Sequence, residues 1–169
     1  TTDGQVTITD YASNAVAASI PKTIGGNPVT SIGRRAFYNK TRLLRVTIPD
    51  SVTSIEGGAF ADCYSLTSIS IPDSVTSIGN GAFESCRALT SISIPDSVTS
   101  SLGSRCLYNC TNLTTITIGD GVTSIGEQAF FNCTSLTSIT IPDSVTSIGD
   151  SAFLDCPSLT NITIGNSLT

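Results

Sequence analysis

A phrase of about two dozen residues that recurs along most of the chain constrains this sequence more than any other feature. Its first Leu and its late Phe both return at an interval of 23 residues, seen for example between Leu43 and Leu66. The Leu series is Leu43, Leu66, Leu89, Leu113, Leu136 and Leu159, and the Phe series is Phe37, Phe60, Phe83, Phe130 and Phe153. One interval is 24 residues because a Ser is added within residues 98–103, and Cys106-Leu107 then replaces the Ala-Phe pair. A fixed period of this size predicts a solenoid, in which each unit buries its apolar side by stacking on its neighbours.

The residues of one unit predict a short strand followed by turns. In residues 66–71, Ile69 and Ile71 alternate with Ser residues, which is the period of two that a strand requires. Residues 72–74 read Pro-Asp-Ser, a turn sequence, and Gly79 marks a second bend. Residues 81–86 are too few for a stable α-helix and fit a helical or 3₁₀ turn. Coils stacked at the strand spacing of about 4.8 Å would place equivalent residues in ladders, Phe on Phe and Cys on Cys.

The repeated phrase L-x-x-I-x-I-P-D-S-V-T-S-I-G-x-x-A-F-x-x-C resembles the treponemal-type leucine-rich repeat of BspA-like bacterial surface proteins, over roughly residues 29–169. We therefore expect a right-handed coil with a parallel β-sheet on one side and short helical or 3₁₀ turns on the other. Residues 1–31 resemble an N-terminal cap and half-repeat, and residues 32–169 are predicted to form a solenoid of about six coils without a C-terminal cap. The departures from the family phrase are Lys40 at the first Cys position, and Gly119 and Gly165 where Pro is expected.

Five of the six cysteines occupy one repeat position and are expected to form a buried column of free thiols. They are Cys63, Cys86, Cys110, Cys133 and Cys156. A spacing of 23 or 24 residues is not a metal-ligand spacing, and the chain has no His to complete a site, so no metal is expected. Parallel side chains in stacked coils lie about one strand spacing apart, wider than the roughly 3.8 Å that a disulfide prefers between Cβ atoms. Cys106 lies outside the column, and a local bond to Cys110 is left open.

The composition argues against several functional classes. The chain has no His, and no set of acid, base and nucleophile converges, so neither enzymatic activity nor a cofactor is expected. No apolar run approaches the roughly 18 residues of a membrane span. A net charge of −5 and the lack of stacking aromatics near most Arg residues argue against nucleic acid. One Asp recurs in successive units, as a turn cap or as part of a Ca²⁺ ladder: Asp50, Asp73, Asp96, Asp120 and Asp143.

Charge varies along the chain in one direction. Residues 22–45 hold six basic groups and no acidic one: Lys22, Arg34, Arg35, Lys40, Arg42 and Arg45. After Arg105 every charged residue is acidic: Asp120, Glu127, Asp143, Asp150 and Asp155. The basic end is either a solvated surface or a site for an acidic partner, which could be a host protein, an anionic polysaccharide or the acidic end of a second copy.

The resemblance implies an extracellular or cell-surface location, mainly in bacteria, and a role in adhesion or protein binding. The candidate binding or assembly residues combine basic groups with aromatics that we expect to be exposed: Arg34, Arg35, Lys40, Arg42, Arg45, Tyr38, Tyr64, Tyr108 and Phe131. Arg and aromatic residues dominate the energetics of binding surfaces. The first hypothesis is a module that binds a protein or glycan on a host, matrix or neighbouring cell through the sheet face and these aromatics. The second is a structural subunit that stacks head to tail into a filament or surface layer, joining its basic N-terminal end to an acidic, open C-terminal end.

Overall fold

A computed structural model of the chain describes residues 4–12 and 15–169. The chain winds into a parallel β-solenoid of about 7 turns, here called coils, with roughly 23 residues in each. The strands in chain order are β1 (Val6–Ile8), β2 (Ala17–Ser19), β3 (Thr23–Ile24), β4 (Asn27–Ile32), β5 (Arg45–Thr47), β6 (Ser54–Ile55), β7 (Ser68–Ser70), β8 (Ser77–Ile78), β9 (Ser91–Ile94), β10 (Ser101–Leu102), β11 (Thr115–Ile118), β12 (Ser124–Ile125), β13 (Ser138–Ile141), β14 (Ser147–Ile148) and β15 (Asn161–Ile164). The predicted leucine-rich repeat solenoid is confirmed.

One row of strands, each three or four residues long, stacks along one side, which we call the strand face. They are β2, β5, β7, β9, β11, β13 and β15. Where they pair, they are parallel and in register, so that Ile92 lies beside Ile116 and Ser93 beside Thr117. In β9, β11 and β13 the Ile residues are buried in the core and the Ser and Thr residues are exposed, as the alternation predicts, whereas both Ile residues of β15 are exposed in the last coil.

A second row of strands is a feature that the sequence pattern did not reveal. In the later coils a Ser-Ile or Ser-Leu pair forms a two-residue strand, and like residues pair again, with Ser54 beside Ser77 and Ile55 beside Ile78. Two residues are too few to show a period of two, so no alternation marks them. The N-terminal segment joins both rows, because β1 pairs with β4 and β2 pairs with β5.

The expectation of helical or 3₁₀ turns on the other side of the solenoid is wrong, because the described residues contain no helix. The amides of residues 82, 84 and 86 each bond to the carbonyl three residues earlier, at 3.0 to 3.2 Å. The alternate amides, those of residues 81, 83 and 85, instead donate to Ser104, Cys106 and Tyr108 of the next coil, at 2.7 to 2.9 Å. Gly81 and Ser85 take positive φ values of 61° and 57°. A 3₁₀-helix needs every amide to bond within the segment, and stacking the coils diverts half of them.

Residues 81–86 and their equivalents in the other coils form the side of the solenoid that we call the turn face. The core lies between the strands and the turn face, and the expected ladders fill it. Phe37, Phe60 and Phe83 are fully buried and stacked, with ring centroids 5.0 and 5.6 Å apart. Tyr11 extends this column at its N-terminal end, with its ring centroid 4.7 Å from that of Phe37. The repeat pattern did not reveal this contact, because Tyr11 lies in the degenerate first coil. Leu107 interrupts the column, and the ladder resumes with Phe130 on Phe153 at 5.2 Å.

The departures at Gly119 and Gly165 have a structural reason. A Cβ atom on Gly119 would lie 2.5 Å from the Pro95 carbonyl carbon, and one on Gly165 would lie 2.7 Å from the Asp143 Cα. The coils approach each other closely at these corners, and only Gly leaves room for the neighbouring backbone.

Candidate functional site

The cysteine column is structural rather than chemically active. All six thiols are free, and Cys63, Cys86, Cys106, Cys110 and Cys133 are buried, whereas Cys156 is half-buried. No bond joins Cys106 to Cys110. Each thiol of the column donates to the carbonyl at the Phe position of the preceding coil, as Cys63 does to Phe37 at 3.0 Å. Burial raises the pKa of the Cys63 thiol to about 11, and those of Cys106 and Cys133 to about 12, so these groups are poor nucleophiles.

The acidic ladder acts in part as a set of caps between coils. The Asp96 carboxylate accepts the Asp120 amide at 2.9 Å, and the Asp143 carboxylate accepts the Asn166 amide at 2.7 Å. Among residues 4–12 and 15–169 no group of three or more His, Cys, Asp or Glu side chains is placed to hold a metal ion.

The structure separates the basic residues that the sequence placed together. Arg34 and Arg35 are exposed on the turn face, whereas Arg45 projects from β5 on the strand face. Lys40 reaches back to Asp10, with Nζ 3.9 Å from Oδ1, and Arg42 lies exposed in the turn that follows. Of this set, Arg34 and Arg35 line the concavity described next.

That concavity, the turn groove, is an open depression of about 630 Å³ on the turn face. Arg34, Arg35 and Tyr38 form the end of the groove that is nearer the N-terminal coil, and Glu84 lies in a later coil. Its lining also includes Glu56, Gly57, Gly58, Ala61, Asp62, Gly79, Asn80 and Gly81. Gly58 and Gly81 occupy the repeat position that holds Arg35 in the coil before and Arg105 in the coil after. The groove therefore exists because two successive coils lack a side chain at this position.

Arg35, which lines the groove, and Arg87, which is not among its lining residues, each stack on a tyrosine. The Arg35 guanidinium carbon lies 5.1 Å from the Tyr38 ring centre, and Arg87 lies 5.0 Å from the Tyr64 ring. Tyr38 and Tyr64 are exposed, as predicted. These contacts hold flexible guanidinium groups in place by cation–π attraction.

Tyr108 and Phe131 are half-buried, so the prediction that they are exposed is wrong. Their rings stack on each other with centroids 4.9 Å apart, and each covers part of the other. Arg105 lies 4.2 Å from the centre of the Tyr108 ring and pairs with Glu84 at 2.7 Å. Arg87 and Arg105 were not among the predicted site residues, and comparing residues at equivalent repeat positions would have found Arg105 beside the two glycines.

The turn-face peptides of these coils share one orientation. The carbonyls of residues 80, 82 and 84 accept from Gly58, Phe60 and Asp62 of the preceding coil, while the next amide in each case donates forward. Three columns of peptide dipoles therefore point the same way, with their N–H groups toward the last coil. Columns of the opposite sense run along the same solenoid, since the amides of Thr53, Thr76 and Gly79 donate to the preceding coil. The peptide dipoles therefore do not set the charge polarity of the chain.

A second, shallower concavity of about 390 Å³ lies on the strand face. Three Ile residues and six hydroxyl side chains line it. The hydroxyl side chains are Ser68, Ser70, Ser91, Ser93, Thr115 and Thr117. It holds no charged side chain and no aromatic ring, so it offers less binding energy than the turn groove.

The period, the stacked parallel strands and the ladders of Phe and Cys define a leucine-rich repeat protein. The chain belongs to the BspA-type leucine-rich repeat family, whose model matches residues 7–101 and 100–169 and finds six copies of the repeat. No helix in the described part of the chain is long and apolar enough to span a membrane.

Solved structures agree with this assignment. A leucine-rich repeat protein of Treponema pallidum is similar with a TM-score of 0.92 and 32% identity, over 96% of this chain and 76% of that one. A leucine-rich cell surface protein of Faecalibacterium prausnitzii has a TM-score of 0.72 and 36% identity, over 97% of this chain and 51% of that one. The pneumococcal vaccine antigen PcpA, 23% identical with a TM-score of 0.77 over 96% of this chain and 44% of its own, shares the fold. No curated protein sequence matches the chain at a significant level.

Proposed function

We propose that this chain is a non-catalytic binding module of a bacterial cell-surface protein, and that it attaches its parent to a protein on a host, matrix or neighbouring cell. Family membership supports the general role, and the similar F. prausnitzii protein is described as a cell surface protein. The observation that carries the proposal is the pair of exposed Arg–Tyr stacks on the turn side, Arg35 on Tyr38 and Arg87 on Tyr64. Exposed Tyr and Arg are the residues that most often dominate binding energy.

Binding to purified matrix proteins and to whole host cells would test this function. The immobilised chain should capture at least one of them, and the double variant Tyr38→Ser, Tyr64→Ser should lose most of that binding. Ile24→Ser is a matched control, since Ile24 is also an exposed apolar side chain but lies in the β3–β4 hairpin, away from the stacks. Capture that survives the double Tyr change, or that is lost equally in the control, would contradict the assignment of the binding surface.

Head-to-tail assembly into a filament is the alternative function. It draws on the charge polarity of the sequence, from the basic residues 22–45 to the acidic residues that follow Arg105. Light scattering at low and high salt separates the two, since an assembly held by opposite charges should dissociate as salt screens them. A monomer at every concentration would remove the alternative.

A further inference from the structure

The turn groove contains both cationic and anionic side chains, and the cationic ones have fewer polar partners within the chain. The Glu56 carboxylate accepts the Ser31 hydroxyl at 2.9 Å and the Arg34 amide at 3.0 Å. Glu84 is paired with Arg105. In the part of the chain that the structure describes, the ion pairs involve Lys22, Lys40 and Arg105, and none involves the guanidinium groups of Arg34 and Arg35.

The glycines of the groove determine where the Arg35 side chain lies. A Cβ atom on Gly58 would lie 3.3 Å from the Arg35 Cγ and 4.0 Å from its Nε. Arg35 therefore crosses the space that a side chain at position 58 would fill, and it extends beside the Tyr38 ring. Its guanidinium fork is held at the end of the groove that is nearer the N-terminal coil, where it can receive a planar anion such as a carboxylate.

The remaining acidic groups decide what kind of anion fits. Glu56 and Asp62 line the same groove in the coil after Arg34 and Arg35, about one strand spacing of 4.8 Å along the axis. A uniform polyanion lying along the groove would place negative groups against these carboxylates, and like charges at this distance repel. A ligand with one carboxylate followed by neutral or basic groups matches the charges in order.

We propose that the turn groove binds a mixed-charge segment of a partner protein, with an acidic side chain on Arg34 and Arg35 and a neutral or basic side chain beside Glu56 and Asp62. This inference rests on the proposed binding function and names the kind of partner segment that the groove takes. A polyanionic glycan is the competing occupant, and it is an outcome of the test below.

NMR titration of the isotope-labelled chain with defined probes tests the proposal. The first probe is a seven-residue peptide, Gly-Ser-Glu-Gly-Lys-Ser-Gly, and the second is the same peptide with Glu replaced by Gln. The third and fourth are hexaglutamate and polygalacturonate. The mixed-charge peptide should shift the amide signals of Gly57, Gly58, Gly79 and Gly81 saturably, and the Gln peptide should bind about tenfold more weakly because it loses charge-assisted hydrogen bonds.

The double variant Arg34→Gln, Arg35→Gln should lose these shifts while its spectrum remains that of a folded chain. Arg42→Gln with Arg45→Gln is the matched control, because it removes the same charge outside the groove. Tighter binding of hexaglutamate or polygalacturonate than of the mixed-charge peptide would overturn the proposal in favour of a polyanion. Absence of saturable shifts with all four probes would remove the groove as a site. If the chain captures a matrix protein and the Arg34, Arg35 variant captures it equally well, the groove assignment fails while the binding function stands.

Discussion

The Cys86 thiol donates a hydrogen bond to the carbonyl oxygen of Phe60 in the preceding coil, with Sγ and O 3.3 Å apart. The same contact recurs from Cys110 to Phe83 and from Cys133 to Leu107. Each of these carbonyls also accepts the amide three residues further along its own coil, so the Cys thiol gives it a second donor as well as filling space, which Ala or Val at this position could not do. The contact gives the thiol a structural role at this repeat position.

Thiol reactivity should follow burial. In the native chain at pH 8, iodoacetamide should modify Cys156 first, because it is half-buried, and should leave the other five largely unmodified. A thiol with a pKa of about 12, as for Cys133, is ionised to only about one part in ten thousand at this pH. Mass spectrometry after timed quenching gives the order, and unfolding in urea should make all six reactive. Rapid native labelling of Cys86 or Cys110 would contradict the buried column.

Stability should fall in alkali. Burial raises the pKa of the Cys106 thiol from its ordinary value of 9.0 to about 12, so the folded state holds this proton more tightly than the unfolded state. Its contribution is fully present below about pH 9 and is lost as pH rises toward 12. Urea midpoints at pH 7, 9 and 10.5 should therefore decrease, and Cys106→Ala should flatten the decrease. Equal pH dependence in the variant and the parent would refute this role of Cys106.

The Phe ladder should contribute most where it is closed on both sides. Phe83→Ala removes a fully buried ring that stacks on Phe60, and we expect it to destabilise the fold by about 3–5 kcal/mol. Phe153→Ala should have a smaller effect, because Phe153 is only half-buried. Thermal or urea unfolding of the two variants compares them directly, and equal losses would mean that burial does not set the contribution of each ring.

Cys106 and Leu107 should be energetically coupled. They stand where other coils have Ala and Phe, so the larger first residue accompanies a smaller second one, and both are fully buried. Leu107→Phe alone should overpack the core, with a loss of about 1–3 kcal/mol, and Cys106→Ala alone should leave a small cavity. The double variant restores the repeat consensus and should be more stable than the sum of the single losses predicts, by about 0.5–3 kcal/mol. A double-mutant cycle in urea that proved additive would show that the two sites are independent.

Restoring the repeat consensus at Gly119 should harm the protein. A Cβ atom there would lie 2.5 Å from the Pro95 carbonyl carbon and 2.6 Å from the Asp96 amide nitrogen, and backbone cannot move aside as a flexible side chain can. Gly119→Ala and Gly119→Pro should each destabilise the fold by about 1–3 kcal/mol. Gly57→Ala is the comparison, since its closest contact, with the Asn80 carbonyl oxygen, would be 3.3 Å, and it should destabilise the fold less than Gly119→Ala does. A stabilising Gly119→Pro would show that the corner relaxes.

The turn groove is the part of the candidate site that the sequence did not predict. The sequence shows a basic cluster at residues 22–45 and predicts a single basic end of the solenoid. The structure distributes them over different faces, because one coil turns the chain through a complete circuit within about 23 residues. Arg35 and Arg105 are 70 positions apart, yet they flank the same two glycines of the turn groove, Gly58 and Gly81, since stacking brings equivalent repeat positions together.

The sequence by itself determined the period, the alternation of the longer strands, the composition of the core and the ladders, because these depend on a local pattern that repeats. The tertiary structure alone decided the backbone of the turn face, where half of the amides bond to the next coil and exclude a helix. It also decided which Tyr rings stay exposed and how close the corner at Gly119 lies to Pro95. Each of these depends on the distance between stacked coils, which is fixed by packing along the whole solenoid rather than by any single repeat.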